Sequence, residues 1–327
     1  WPFLNGKLQY GHAGEHLPLA HPSDRFWSTC VKHPARALMA LVVMSLLWGY
    51  GWTAIKIGLL DAPPFKLTAV RMLASALCLM ALLPLTGRPL APQRLPELTR
   101  LALVQTSLLF TLSTWAVAHG SAGRVAFMVY TMPFFTLLLA WPLLGERVRG
   151  AQWLAVVLAA AGLVAIIQPW ALGDTLASSV LGLGGGMAWA VGAILVKRLQ
   201  RRAPMDLLCM TAWQMLLGCV PLMIIALWVD EPAIVWSPRF IGILTLMAVV
   251  ITAFGWMLWM YALDNLDTGT AGLATLLTPT IAMVSSHYTF GEQPGRLELL
   301  GMGLITLALL SLSGQGLWKR RAAMAAL

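Results

Sequence analysis

Ten stretches of about twenty mostly apolar residues follow one another along this chain, separated by short segments that carry turns or charge. They cover approximately 36–60, 64–86, 98–119, 123–144, 151–168, 178–199, 206–229, 240–263, 268–290 and 297–317. Inside hydrocarbon the backbone N–H and C=O groups find no water, so a spanning segment must bond them internally. At 1.5 Å per residue, about twenty residues of α-helix cross the core. The expected fold is therefore an all-α integral membrane protein of ten transmembrane helices, with the lipid bilayer as its first partner. A chain that is 59% hydrophobic and 11% charged has too little polar surface to coat soluble domains.

The second constraint is a repeat. WAVAHGSAGRVAFMVYTMPFFTLLLAWPLLGE, from Trp115 to Glu146, returns as YALDNLDTGTAGLATLLTPTIAMVSSHYTFGE, from Tyr261 to Glu292, without an inserted or deleted residue. Ala116 matches Ala262, Gly123 matches Gly269, Pro133 matches Pro279, and Gly145-Glu146 matches Gly291-Glu292. Each copy reads as a helix end, a tight turn and a second helix interrupted by one proline. Trp48 and Lys56 in the first helix have the same spacing as Trp189 and Lys197 in the sixth. Five helices is an odd number, so the two halves enter the bilayer from opposite faces. The expectation is two inverted five-helix repeats, the symmetry of an alternating-access carrier.

The formal charge of +9 does not point to nucleic acid, because the basic residues are dispersed in short loops. With the N-terminus inside, Lys32, Arg36, Arg88, Arg94, Arg100, Arg147, Arg149, Lys197, Arg198, Arg201, Arg202, Lys319, Arg320 and Arg321 fall on the inner face. Lys66, Arg124, Arg239 and Arg296 fall outside. This asymmetry predicts a multi-pass protein of the inner membrane with both termini cytoplasmic. Residues 1–35 read as a polar N-terminal tail, in which His12, His16 and His21 lack the carboxylate or thiol spacing of a metal site. The repeats are expected over 36–169 and 178–317, with a basic tail over 318–327. The four cysteines include no close pair and read as small core residues. No metal or cofactor is expected.

WGYGWTAIKIGL in the first helix, PPFKLTAVRM opening the second, and the two helices closed by Gly-Glu resemble the drug/metabolite transporter superfamily. Their order and duplication resemble in particular its ten-helix EamA-type exporters with two EamA repeats, over residues 36–317. The resemblance implies inverted repeats around a central cavity lined mainly by helices 1, 3, 4, 6, 8 and 9, and export of small metabolites, amino acids or drug-like amphiphiles.

Several residues could carry such a function. Pro133 and Pro279 free the carbonyls of Val129 and Thr275 near mid-membrane, where they must find another donor. Trp48 and Trp189 lie at helix centres rather than at the interfaces, so each indole N–H needs a partner at depth. Tyr130, Trp256, Trp259 and Thr111 join them as substrate-binding candidates, beside the alternative that all of them only pack. Lys56 and Arg71 could attract an anion, or snorkel to the nearby interface. Glu146 and Glu292 are read as structural groups at helix-end turns. The remaining carboxylates fall in loops or at helix ends, and the first helix lacks the glutamate of the small four-helix relatives, which argues against proton antiport by that route.

The alternative within the superfamily, a nucleotide-sugar or phosphorylated-metabolite exchanger, would need more cavity cations than Lys56 and Arg71. An intramembrane enzyme would need a water-activating site, and the sequence has neither HExxH nor a pair of buried aspartates, so no catalytic residue is assigned. A membrane scaffold or sensor lacks a reason for the inverted duplication. Small-molecule substrate is the partner expected, with a homo-oligomer left open.

Overall fold

The computed structural model describes residues 34–145, 148, 150–170, 175–202, 204–265 and 274–325, and the described residues form ten helices with no strand. These are α1 (Pro34–Gly58), α2 (Pro64–Leu85), α3 (Leu95–Ala118), α4 (Ala122–Val129 and Met132–Leu144), α5 (Ala151–Ile167) and α6 (Thr175–Arg202). The remaining four are α7 (Leu207–Trp228), α8 (Pro238–Asn265, in three consecutive segments), α9 (Ala274–Phe290) and α10 (Arg296–Ala325). Seven of them, α1 to α4 and α6 to α8, are long and apolar enough to cross a membrane. α5 and α9 have 17 residues each, at the lower limit of crossing length.

Local chemistry sets many of the boundaries. Ser121, Asp206 and Ser237 cap the starts of α4, α7 and α8, each side chain accepting a backbone N–H three residues on. Pro64 and Pro238 occupy first-turn positions, where their missing N–H costs nothing. The glycine of each Gly-Glu pair explains why both copies stop there. Gly145 and Gly291 adopt φ of 71° and 66°, the left-handed conformation that ends a helix and that a side chain disfavours.

Two features depart from the expected ten uniform helices. α3 widens into a π-helix over Leu103–Leu108, and α8 does so over Leu246–Phe254. In the register that pairs Ala116 with Ala262 these segments overlap, so the duplication extends to an irregularity of the backbone. The proline interruptions differ: α4 breaks at Tyr130 and Thr131 just before Pro133, whereas α9 runs helical through Pro279.

Helices of one half pack mainly on those of the other. α5 pairs with α10 and α2 with α7; α1 lies against α8 and α9, and α6 against α3 and α4. Exchanging the halves maps these pairings onto themselves. Glycines permit the closest crossings: a Cβ on Gly162 would lie 2.7 Å from the Gly301 carbonyl, and one on Gly301 would lie 2.5 Å from that of Gly162. The small-residue stripe of α6 is used in the same way: a Cβ on Gly186 would lie 3.1 Å from the carbonyls of Met128 and Val129.

Polar contacts mark two ends of the bundle. At one, Lys56 pairs with Glu292 and Arg124 with Glu298, while Asp61 pairs with Arg239. At the other, Arg88 pairs with Asp206, the Trp213 indole donates to the Leu90 carbonyl, and Arg198 donates to the carbonyl of Leu143.

Candidate functional site

A cavity of about 220 Å³ lies inside the bundle. Its wall is built from α1, α2, α3, α4, α6, α7 and α8, so both halves contribute. The aromatic part of the wall follows from helical spacing on α1, where Trp48, Trp52 and Ile55 recur at positions that share one face. The Trp48 ring meets Trp256 at 5.8 Å and Trp259 at 6.1 Å between centroids. On the other side Tyr130 stands edge-on to Trp189 at 5.4 Å and to Trp52 at 6.5 Å. Two aromatic groups, one anchored on α8 and one on α4 and α6, thus flank the space in front of α1.

The π segment of α8 supplies the partner that Trp48 needs. Its indole Nε1 donates to the carbonyl of Ile251 at 3.1 Å, a carbonyl within the widened turn. Gly255, one turn on, leaves room for that indole, since a Cβ there would meet Nε1 at 2.6 Å. Thr252, also in the wall, accepts from Ser75 at 3.3 Å and donates to Met247 at 2.8 Å. A backbone irregularity, one glycine and one tryptophan therefore form a single arrangement at mid-helix.

Of the residues singled out from the sequence, Trp48, Tyr130, Trp189, Trp256 and Arg71 line the cavity, as does Trp259. Thr111 does not; the α3 face that does carries Gln105, Leu109, Phe110 and Ser113. Pro133 lies at the first turn of the second α4 segment and Pro279 inside α9, and neither belongs to the wall, although Val129, whose carbonyl Pro133 releases, does. No described residue of α9 lines the cavity. That helix is held against α1 instead, through Gly49 on Ile281 and the Thr53–Ser285 hydroxyl contact of 2.6 Å. α2 and α7 join the helices expected to form most of the wall, with Arg71 from the first and Met210, Thr211 and Gln214 from the second.

Lys56 neither snorkels freely nor reaches the cavity. Its ammonium bonds the Glu292 carboxylate and the Gly120 carbonyl, the latter at 3.2 Å, and Glu292 also accepts the Ala122 N–H at 3.3 Å. One contact set thus ties the ends of α1 and α9 to the α3–α4 turn, with a carboxylate at the positive start of α4. Glu146 lies outside the described residues. Arg71 is buried, 7% exposed, its guanidinium 5.2 Å from the centre of the Phe110 ring. His119 and His287 bond nearby carbonyls of Trp115 and Glu292 outside the cavity.

Sequence reasoning missed Trp52, Gln105, Phe110 and Gln214. Trp52 had a usable signal, since it follows Trp48 by one helical turn; the others depend on how α3 and α7 are rotated. Among the described residues no cluster of His, Cys, Asp and Glu could hold a metal ion, and no carboxylate lines the cavity.

An apolar helical bundle enclosing an aromatic, partly cationic cavity between two matching halves is the framework of a membrane solute carrier. The chain belongs to the EamA-like transporter family, whose model matches it twice, over residues 35–168 and 176–314. It is similar to the uncharacterized transporter YvbV of Bacillus subtilis, 28% identical across 83% of this chain and 89% of that one. It is similar also to two Escherichia coli proteins: the uncharacterized inner membrane transporter YedA, 27% identical over 82% and 88% of the two chains, and a protein named as a probable amino-acid metabolite efflux pump, 26% identical over 83% and 92%. A solved structure sharing 15% identity superimposes with a TM-score of 0.63, covering 86% of this chain and 97% of the other, and so has the same fold.

Proposed function

We propose that this transporter exports small amphiphilic solutes across the inner membrane by alternating access, with two inverted repeats of five helices, 36–169 and 178–317, moving around the cavity. The observation that carries the reading is that both halves build the cavity wall, with ion pairs between the halves at each end of the bundle. The wall reaches Lys197 near the close of α6 and Leu207 at the first turn of α7, close to the Asp206 end. Positive residues concentrate at that end, which supports a cytoplasmic opening and cytoplasmic termini. The exchange symmetry of the helix pairings supports the repeat. The similarity to YedA supports the inner membrane, and that to the amino-acid metabolite efflux pump supports export.

The test is an untargeted comparison of solutes released by cells that overexpress or lack the protein. Solutes enriched outside overexpressing cells are expected, and no difference would overturn the export reading. Trp48→Ala and Trp189→Ala should each reduce that release by about tenfold while membrane abundance falls less than twofold, the scale of a lost aromatic contact of roughly 1.4 kcal/mol. Equal losses of release and abundance would assign both residues to packing alone.

A further inference from the structure

Arg71 is a cavity-lining cation whose charge meets no acidic partner among the described residues. It lies two turns into α2, its Nε and Nη1 are buried, and neither has a hydrogen-bond partner. A guanidinium does not lose its proton in proteins, so the charge persists at this depth. Burying it without an anion carries a large desolvation cost, of which the Phe110 ring face offsets only a part. The side chain does not escape to water: it is 93% covered and directed into a cavity whose other charged lining group, Lys197, is also cationic. Among the described residues no aspartate or glutamate shares that wall.

We infer that Arg71 is the contact for a carboxylate on the transported solute, and that the solute is a net organic anion with an aromatic or bulky apolar body. The planar guanidinium presents parallel N–H groups that match a carboxylate. The Trp48–Trp256 and Tyr130–Trp189 pairs offer ring faces and edges for the body. Charge selection follows from the composition of the wall. A cation entering it would meet the Arg71 charge, which has no carboxylate beside it among the described residues, and a zwitterion would gain one partner while its ammonium found no counter-charge on the described wall. The inference rests on the cavity being the site of the transported solute, and deepens that reading by naming the solute's charge.

Equilibrium binding to the full chain in lipid nanodiscs tests this without requiring transport. The probes are 3-phenylpropionate, its amide, phenethylamine, L-phenylalanine and phenyl phosphate. 3-Phenylpropionate is expected to bind at least about tenfold more tightly than the amide, the amine or the amino acid, as a charge-assisted hydrogen bond gives. Arg71→Gln should remove that preference and Arg71→Lys should restore part of it. Arg71→Gln should also leave the melting temperature unchanged or raised, since the charge it removes has no partner inside the protein; a purely structural arginine would lower it. Failure of 3-phenylpropionate to bind, equal binding of the charged and neutral probes, tighter binding of L-phenylalanine, tighter binding of phenyl phosphate, or an unchanged preference in Arg71→Gln would each overturn the inference. Anion binding without solute release from cells would instead overturn export and leave the anion contact standing.

Discussion

Trp48 shows how far single residues could be read. Its position at the centre of an apolar run demanded a hydrogen-bond acceptor at depth, and the Ile251 carbonyl fills that need. That acceptor lies 203 residues away in the chain, so no local pattern could name it. Asp61 makes the same point at the helix ends. Arg239 donates to it through Nε at 2.8 Å and Nη2 at 2.9 Å, and these bonds hold the carboxyl below its ordinary pKa against the opposing effect of burial. A carboxyl depressed in the folded state contributes stability above its unfolded pKa of about 3.9 and loses it as the pH falls through the folded value. The melting temperature of purified protein should therefore vary little through this site between about pH 7 and 5 and fall below about pH 4. Asp61→Asn should melt lower at neutral pH and show a shallower acid decline. Parallel declines in both proteins would place the acid sensitivity elsewhere.

At the scale of helices, length and apolarity anticipated ten elements, and the caps, prolines and Gly-Glu ends explain their limits. The π segments escaped notice because Leu103–Leu108 and Leu246–Phe254 contain nothing that a plain α-helix would reject. The first accompanies a close contact between helices: Gly218 of α7 sits so near it that a Cβ would lie 2.5 Å from Thr106, and Ser107 donates across to the Gly218 carbonyl at 2.8 Å. Close backbone approach also defines the α5–α10 pair. Gly162→Ala should destabilise the protein by about 1–3 kcal/mol, because the added methyl meets the Gly301 carbonyl rather than a movable side chain. Gly303→Ala on the open face of α10 should be neutral or stabilising by up to about 1 kcal/mol. Chemical unfolding of the two variants measures the difference, and equal effects would rule out the tight crossing.

For the whole molecule, contacts join the halves at both ends, and the proposed cycle requires those at the Lys56 end and those at the Asp206 end to open in turn. The Lys56–Glu292 pair holds α1, α9 and the α3–α4 turn together, so it is where opening can be weighted. In a background with the natural cysteines replaced by serine, Cys introduced as Ile55→Cys reports access from that end. Glu292→Gln should raise its labelling by a membrane-impermeant maleimide about twofold to fivefold, the factor given by roughly 0.5–1 kcal/mol of lost ion pairing. Unchanged labelling would mean that the pair does not hold this end shut.

The apolar runs and the duplication were determined by the sequence by itself, because burial of the backbone in lipid and helix termination depend on composition and neighbouring residues. The same local rules marked Trp48, Tyr130, Trp189 and Trp256 as unusual for their depth. Which faces turn inward was decided only by the tertiary structure, since small residues at crossings such as Gly49 on Ile281 set the rotation of each helix. That rotation brought Trp52 and Gln214 to the cavity, kept Thr111 and Pro279 out of its wall, and joined Lys56 to a carboxylate 236 residues along the chain. It also left Arg71 facing the cavity, with its buried Nε and Nη1 unbonded and no acidic side chain among the described residues of the same wall.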